Sequence, residues 1–372
     1  MAGLDRSEVG LKKLVVGNQD QILIINFDGI RFTIVGRYVQ RDWNPAWILF
    51  KEPNILYVYG STPETGHMSP WTKLFFVKPT LTSSLHCARG GAHLEFNRDK
   101  TYIVEAGYRT TVVTFWDISA PDNPFKLMRT NTIPGSPSPG WKGHRPHQAV
   151  LDPTGYFFIV PNISGDTLLV IRADSLENSN VIKVPVGVGP RHVAFLKNDG
   201  ITYLAMVSEL SNEIFLYRVK YTEHTIELDE INRQSTYNNS PPKDPRIARA
   251  AELVVARNQR DVYVSNRVTG DETDHIAHFS FQSEGNVPRL DYVGKVSSGG
   301  LKPRHFSLGA DDDQEFMFIG NEAGGTGLVA LRRDPKTGHL DPTPVATMPI
   351  VELAAPGLSA GQIRGPGFVS EI

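Results

Sequence analysis

The chain is nearly free of cysteine: Cys87 is the only one in 372 residues. One thiol cannot close an intrachain disulfide, and it cannot build a thiolate-rich metal site. No base marks Cys87 as a nucleophile, so a buried thiol is expected there. Long apolar runs are also missing. No segment approaches the roughly 20 residues that cross a bilayer as a helix. Residues 1–10 lack the apolar stretch of a secretory leader, and the ending Ser370-Glu371-Ile372 is no peroxisomal address. These absences lead to the expectation of a cytosolic (cytoplasmic) protein. Charge of one sign is lacking as well: 38 Lys and Arg stand against 40 Asp and Glu. That balance gives no footprint for nucleic acid or an anionic membrane, and no obligate protein partner is implied.

Metal and nucleotide signatures are equally scarce. Eleven histidines are present, but no His-Glu-x-x-His, paired cysteines or compact Asp-rich loop accompanies them. A long-range site from His147, His192 and Glu209 is the remaining metal alternative. No metal and no cofactor is expected. Gly324-Gly325-Thr326-Gly327 lacks the lysine of a phosphate loop and reads as a tight turn. No Gly-x-Ser-x-Gly elbow supports a serine hydrolase.

What is abundant is short strand. Runs such as Ile22-Leu23-Ile24-Ile25, Tyr102-Ile103-Val104, Phe157-Phe158-Ile159-Val160 and Phe316-Met317-Phe318-Ile319 are separated by Gly, Asn, Asp and Pro. Apolar periodicity of helix length is not seen. The runs group into a larger unit whose opening strands lie near Trp47, Ala92, His147, Arg191, Ala250 and Arg304. The steps between these positions are 44 to 59 residues. Repeats of this period suggest propeller blades, which bury both faces by stacking around an axis. Leu11 to Phe27 supplies part of one more unit, closed by a returning strand near Gly367-Phe368-Val369. The expected fold is therefore all-β: a seven-bladed β-propeller of four-stranded antiparallel blades. Residues 11–372 form this single domain, after a lead segment at 1–10. The loops Asn131 to Trp141 and Ser235 to Arg246 are rich in turn residues and are candidates for a pocket rim, as are Trp43, Trp47 and Trp141.

Three opening strands repeat one pattern: His144-Arg145-Pro146-His147, Pro190-Arg191-His192 and Pro303-Arg304-His305. In a propeller the mouths of the innermost strands converge on the axis. His147, Arg191, Arg304 and His305 would then approach one another. Glu209, Arg267 and Glu322 sit just after second strands, and Glu252 lies on an opening strand. Guanidinium forks suit carboxylates, phosphates and developing oxyanions, while His and Glu exchange protons. Such a pocket suits a small anionic lactone or an unsaturated polycarboxylate. Arginine can also tie one blade to the next. His144 and His192 are read as supporting groups.

At these motifs the chain resembles the seven-bladed lactonase family, over roughly residues 12 to 370. That family includes propeller-type 6-phosphogluconolactonases and fungal 3-carboxy-cis,cis-muconate lactonizing enzymes. The resemblance implies a central cleft that needs no metal. From the cyclase branch it implies His147, Arg191, Glu209 and Arg267 as the catalytic set. The lactonase branch matches at Ala251-Glu252, Ser265-Asn266-Arg267 and Pro303-Arg304-His305-Phe306. Substrate contacts are expected from His144, His192, Glu252, Arg304, His305, Asn321 and Glu322. The leading expectation is hydrolysis of a sugar or sugar-acid lactone. The alternatives are cycloisomerization of 3-carboxy-cis,cis-muconate and a non-catalytic binding module.

Overall fold

The structure is a computed structural model that describes residues 10–61, 66–72, 80–81, 85–87, 90–120, 125–283 and 287–372. The first sheet holds β1 (Lys12–Asn18), β2 (Gln21–Phe27) and β3 (Phe32–Val39). Next come β4 (Asn44–Lys51), β5 (Ile55–Ser61), β6 (Gly66–Thr72), β7 (Thr80–Leu81) and β8 (Leu85–Cys87). The third sheet is β9 (His93–Phe96), β10 (Tyr102–Gly107), β11 (Val112–Asp117) and β12 (Lys126–Thr132). The fourth is β13 (Val150–Leu151), β14 (Phe157–Asn162), β15 (Thr167–Arg172) and β16 (Asn178–Lys183). The fifth is β17 (Pro190–Asn198), β18 (Ile201–Ser208), β19 (Glu213–Tyr221) and β20 (Ile226–Ser235). The sixth is β21 (Arg249–Val255), β22 (Asp261–Arg267), β23 (His275–Gln282) and β24 (Arg289–Ser297). The last is β25 (Leu301–Leu308), β26 (Phe316–Ala323), β27 (Thr326–Arg332) and β28 (Ala346–Pro349).

The chain ends in β29 (Phe368–Glu371), which pairs antiparallel with β1, so the first sheet runs β29-β1-β2-β3. The tail thus supplies that sheet's innermost strand. The expectation of seven four-stranded blades needs correction. Among the described residues six sheets have four strands, not seven; β4 to β8 form a sheet of five, with β8 added on β6. Residues 73–79 and 82–84 lie outside the described residues. So do the side-chain surroundings of Cys87, and the expectation of a buried thiol falls there.

Burial explains why the middle strands are so apolar. β10 (YIVEAG), β14 (FFIVPN) and most of β18 (ITYLAMVS) are buried on both faces. Each middle strand touches the sheet before it and the sheet after it. Tyr57 and Tyr59 of β5 pack with Leu94 and Ile103 of the third sheet. Phe27 of β2 packs with Phe316 and Phe318 of β26, which closes the ring. The outermost strands face water; β12 has one buried residue in seven. Apolar content therefore falls from axis to rim, as stacked blades require.

Glu105 is a charged side chain set against this pattern. Glu105 of β10 is 2% exposed, with Oε2 accepting a hydrogen bond from Trp116 Nε1 at 3.0 Å. Burial pushes its carboxyl up to about 7, against the lowering effect of that hydrogen bond. The folded state then binds a proton more tightly than the unfolded chain, whose glutamates titrate near 4.5. Its contribution is fully present below pH ~4.5 and is lost as pH rises through about 7. The size is on the order of 3 kcal/mol. Glu105→Gln should flatten this slope: urea midpoints of the two proteins should converge at low pH and separate in favour of the variant above pH ~7. Parallel curves would show that Glu105 is ionised in the fold.

Candidate active site

The repeated Pro-Arg-His pattern has a structural cause. In β17 the pairing to β18 skips Arg191: Pro190 opposes Ser208 and His192 opposes Val207. β25 does the same at Arg304, β4 at Ala46, and β21 at Ala251-Glu252. Four innermost strands thus bulge at the same height. A bulge frees the extra residue from the ladder and re-aims its side chain. Proline suits the preceding position because bulges tolerate a missing N–H. Arg191 and Arg304 are turned in this way toward the axis, where they line a cavity of about 430 Å³.

The cavity wall carries five arginines, Arg109, Arg191, Arg267, Arg304 and Arg364, against the carboxylates Glu209 and Glu322. Glu209 follows β18, Arg267 ends β22, and Glu322 lies near the end of β26. Arg191 is 2% exposed, and its Nε lies 2.8 Å from Glu209 Oε2 without the alignment of a hydrogen bond. Arg267 Nη2 is 3.5 Å from the same oxygen. Glu209 therefore holds two guanidinium groups side by side. Arg304 Nη1 reaches Glu322 Oε1 at 3.5 Å. Burial pulls Arg191 down to about 10, with Arg267 adding to the effect, so it remains charged at neutral pH.

His147 also lines the cavity, with Tyr108 edge-on at 5.7 Å. Beneath it run hydrogen bonds that lead away from solvent. His147 Nδ1 lies 3.1 Å from His192 Nε2, and His192 Nδ1 lies 2.7 Å from Glu252 Oε1. His305 Nε2 stands 3.8 Å from Glu252 Oε2. Trp47 floors the channel, with ring centres 3.9 Å from His93 and 5.0 Å from His305. Burial, followed by neighbouring positive charge, holds His93, His147 and His192 well below the usual histidine value. His305 is pulled down to about 4, mainly by burial. All four rings are neutral at pH 7.

The sequence-derived candidates therefore divide. His147, Arg191, Glu209, Arg267, Arg304 and Glu322 meet in one cavity. His192, Glu252 and His305 lie below it, around a pocket of only about 10 Å³. His144 and Asn321 are not part of either wall. His144 bonds through Nδ1 to Asn162 at 3.0 Å. Asn321 Nδ2 donates to the Ser298 carbonyl at 2.9 Å. The loops 131–141 and 235–246 contribute nothing to the cavity wall. Trp43 is fully buried in the core, and Trp141 packs against Arg145. Among the described residues, no group of three or more His, Cys, Asp and Glu side chains could hold a metal ion.

Sequence reasoning missed Tyr108, Arg109, Asn18, Gln19 and Arg364. The first two follow β10 just as Glu209 follows β18; Asn18 ends β1, second strand of its sheet, and Gln19 follows it. The repeat held that signal. Arg364 had none, because it lies on the returning tail. Gly365 beside it must lack a side chain: a Cβ there would collide with the Asn321 carbonyl oxygen. That close approach seats Arg364 at the rim.

Comparison with known proteins places this site in context. A protein from Arthroderma benhamiae described as a probable 6-phosphogluconolactonase is 25% identical over 352 residues, which cover 90% of this chain and 86% of that one. The 6-phosphogluconolactonase of Formosa agariphila is 24% identical and covers 69% of this chain and 70% of its own. Among solved structures, the periplasmic gluconolactonase PpgL of Pseudomonas aeruginosa superposes with a TM-score of 0.78 at 18% identity, covering 98% of this chain and 99% of that one. A Lactobacillus plantarum protein superposes at 0.77 with 20% identity, covering 91% and 99%. The expectation of a cytosolic protein is thereby corrected: this fold occurs in a periplasmic protein, so neither the fold nor the lack of long apolar runs fixes the compartment. The family model described as "Lactonase, 7-bladed beta-propeller" matches residues 16–349, and the chain belongs to that family.

Proposed function

We propose that this protein hydrolyses a small anionic sugar or sugar-acid lactone in the axial cavity. The observation that carries this reading is the set of five arginines and two glutamates around a space of about 430 Å³, with a neutral histidine on its wall. That volume suits a single sugar ring with a charged substituent. Relatives named as 6-phosphogluconolactonases and a gluconolactonase support the reaction class.

In the proposed reaction, Arg191 and Arg267, held together by Glu209, face the lactone carbonyl. Water attacks the carbonyl carbon and the C=O electron pair moves to oxygen. The two guanidinium groups stabilise the resulting oxyanion. His147 Nε2 takes the proton from water as the new C–O bond forms. On collapse the ring C–O bond breaks, and His147 returns the proton to the departing ring oxygen. The product is an open-chain hydroxy acid. Arg109, Arg304 and Arg364 are left to bind the substrate's anionic group.

The test is a panel of phosphorylated, carboxylated and neutral sugar lactones followed by proton release in a pH-stat. 3-Carboxy-cis,cis-muconate is followed alongside by loss of its diene absorbance. Lactone turnover supports the reading; diene loss without lactone turnover would replace it with cycloisomerization, and neither signal would leave a binding module. Arg364→Ala should raise KM for a phosphorylated lactone about tenfold. It should leave kcat within about twofold, because a rim arginine contributes equally to ground and transition states. An unchanged KM would place the anion elsewhere.

A further inference from the structure

We propose that the proton taken from the attacking water passes through His147 and His192 and is held on Glu252, and not on His147, until the ring bond breaks. The inference deepens the lactonase reading and rests on it for the identity of the proton donor. The relay itself stands on side-chain geometry.

The tautomers follow from the neighbours. Leu253 N–H donates to Glu252 Oε1 at 3.1 Å, so this oxygen already serves as an acceptor. A carboxylate 2.7 Å from His192 Nδ1 requires that nitrogen to carry hydrogen. Arg191 Nη1, which can only donate, lies 3.5 Å from His192 Nε2. That nitrogen must therefore carry the lone pair. His147 Nδ1, 3.1 Å away, is then the donor. A neutral ring has one N–H, so His147 Nε2 is left as an acceptor on a residue of the cavity wall.

The transfer balances. Water's proton goes to His147 Nε2 while its oxygen bonds the lactone carbon. The Nδ1 proton of His147 passes to His192 Nε2, and the Nδ1 proton of His192 passes to Glu252 Oε1. The charge on the Glu252 carboxylate is replaced by the charge on the oxyanion, and both rings end neutral with hydrogen on Nε2. When the ring C–O bond breaks, its electrons stay on the ring oxygen. The chain then runs backward, delivering a proton from His147 Nε2 and restoring the carboxylate.

The surroundings decide where the proton stops. Around His147 stand Arg191, Arg267, Arg304, the neutral ring of His192 and the Tyr108 ring. A positive ring there is opposed by burial and by three guanidinium groups. Glu252 faces His192 and Arg191 from β17 and His305 and Arg304 from β25. Burial raises its proton affinity above that of an ordinary glutamate, against the lowering effects of His305, Arg191, the Leu253 N–H and Arg304. In serine-hydrolase triads the carboxylate remains ionised beside an imidazolium. Here three arginines take the place that would stabilise the imidazolium, and the proton moves one residue further.

The experiment reads tautomers directly. ¹⁵N spectra of histidine-labelled protein should show His147 and His192 both protonated at Nδ1 at neutral pH. On acidification both should switch together to Nε2–H, with neither becoming imidazolium first, and Glu252→Gln should abolish the switch. Resting Nε2–H tautomers, or an imidazolium signal before any switch, would overturn the relay. That readout needs no substrate, so it decides the relay even if every lactone of the panel fails and the lactonase reading falls. With a lactone that the native protein hydrolyses, Glu252→Gln should lower kcat at least 100-fold and leave KM within about threefold. The amide can still accept from His192 but cannot take a proton, so a kcat near the native value would reduce Glu252 to a positioning residue. Native-like thermal unfolding of the variant certifies the comparison.

Discussion

His147→Asn is expected to lower kcat about 10²- to 10⁴-fold while KM stays within about threefold. Asparagine can still donate to His192 from its amide, so the hydrogen-bonded chain below keeps its partner. What disappears is the lone pair on the cavity wall. Glu209 is no ready substitute, because one of its oxygens already lies against both Arg191 and Arg267. His147→Ala should regain part of its activity in added imidazole, since the ring's space opens into the cavity. The native pH profile follows from the same group. Burial, then Arg191, lowers its proton affinity, so it is already unprotonated at pH 6.5. kcat/KM should be flat above that pH and should fall only in more acidic solution. Full activity of the asparagine variant, or an acid limb above pH 7, would remove His147 as the base.

Much of this arrangement could be read from the sequence because it is written in repeats. The opening strands expected near Trp47, Ala92, His147, Arg191, Ala250 and Arg304 all lie on the axis. Four of them carry the bulge that makes Arg191, Arg304 and Glu252 protrude. Pro-Arg-His was visible as a motif; its meaning as a bulge was not, since register depends on the partner strand. The five-stranded sheet was hidden for a related reason. β7 and β8 are two and three residues long and leave no alternating pattern. From the sequence, His144 is read as a supporting group and an expected substrate contact beside the first copy of the motif. The long stretch before β13 instead turns it toward Asn162. Asn321 shares a strand with Glu322, yet adjacent residues of a strand face opposite sides. One reaches the cavity and the other binds the Ser298 carbonyl.

Asp261→Asn is expected to destabilise the fold by about 3–5 kcal/mol, the range for breaking a buried ion pair from one side. Asp261 opens β22 and is 0% exposed. Its Oδ2 lies 2.6 Å from Nη2 of Arg333, which is 2% exposed and follows β27 of the next sheet. Arg333 is fixed further by Tyr263 Oη at 2.8 Å and the Asp313 carbonyl at 3.0 Å. Burial alone would raise the Asp261 carboxyl. Hydrogen bonds from His278, Arg260 and Asn258 and the Arg260 charge overcome this and hold it well below the usual range. Its stabilisation is therefore present above the unfolded value near 4 and fades as pH falls below it. The asparagine variant leaves Arg333 charged, buried and without its anion. Its urea midpoint should fall with an unchanged m-value, and Asp261→Asn combined with Arg333→Met should recover much of the loss. Arg267 ends the same strand about 20 Å away at strand rise. Catalytic constants of the folded single variant should therefore match the native ones. Loss of activity without loss of stability would mean that this pair acts on the axial site and does not merely bind one sheet to the next.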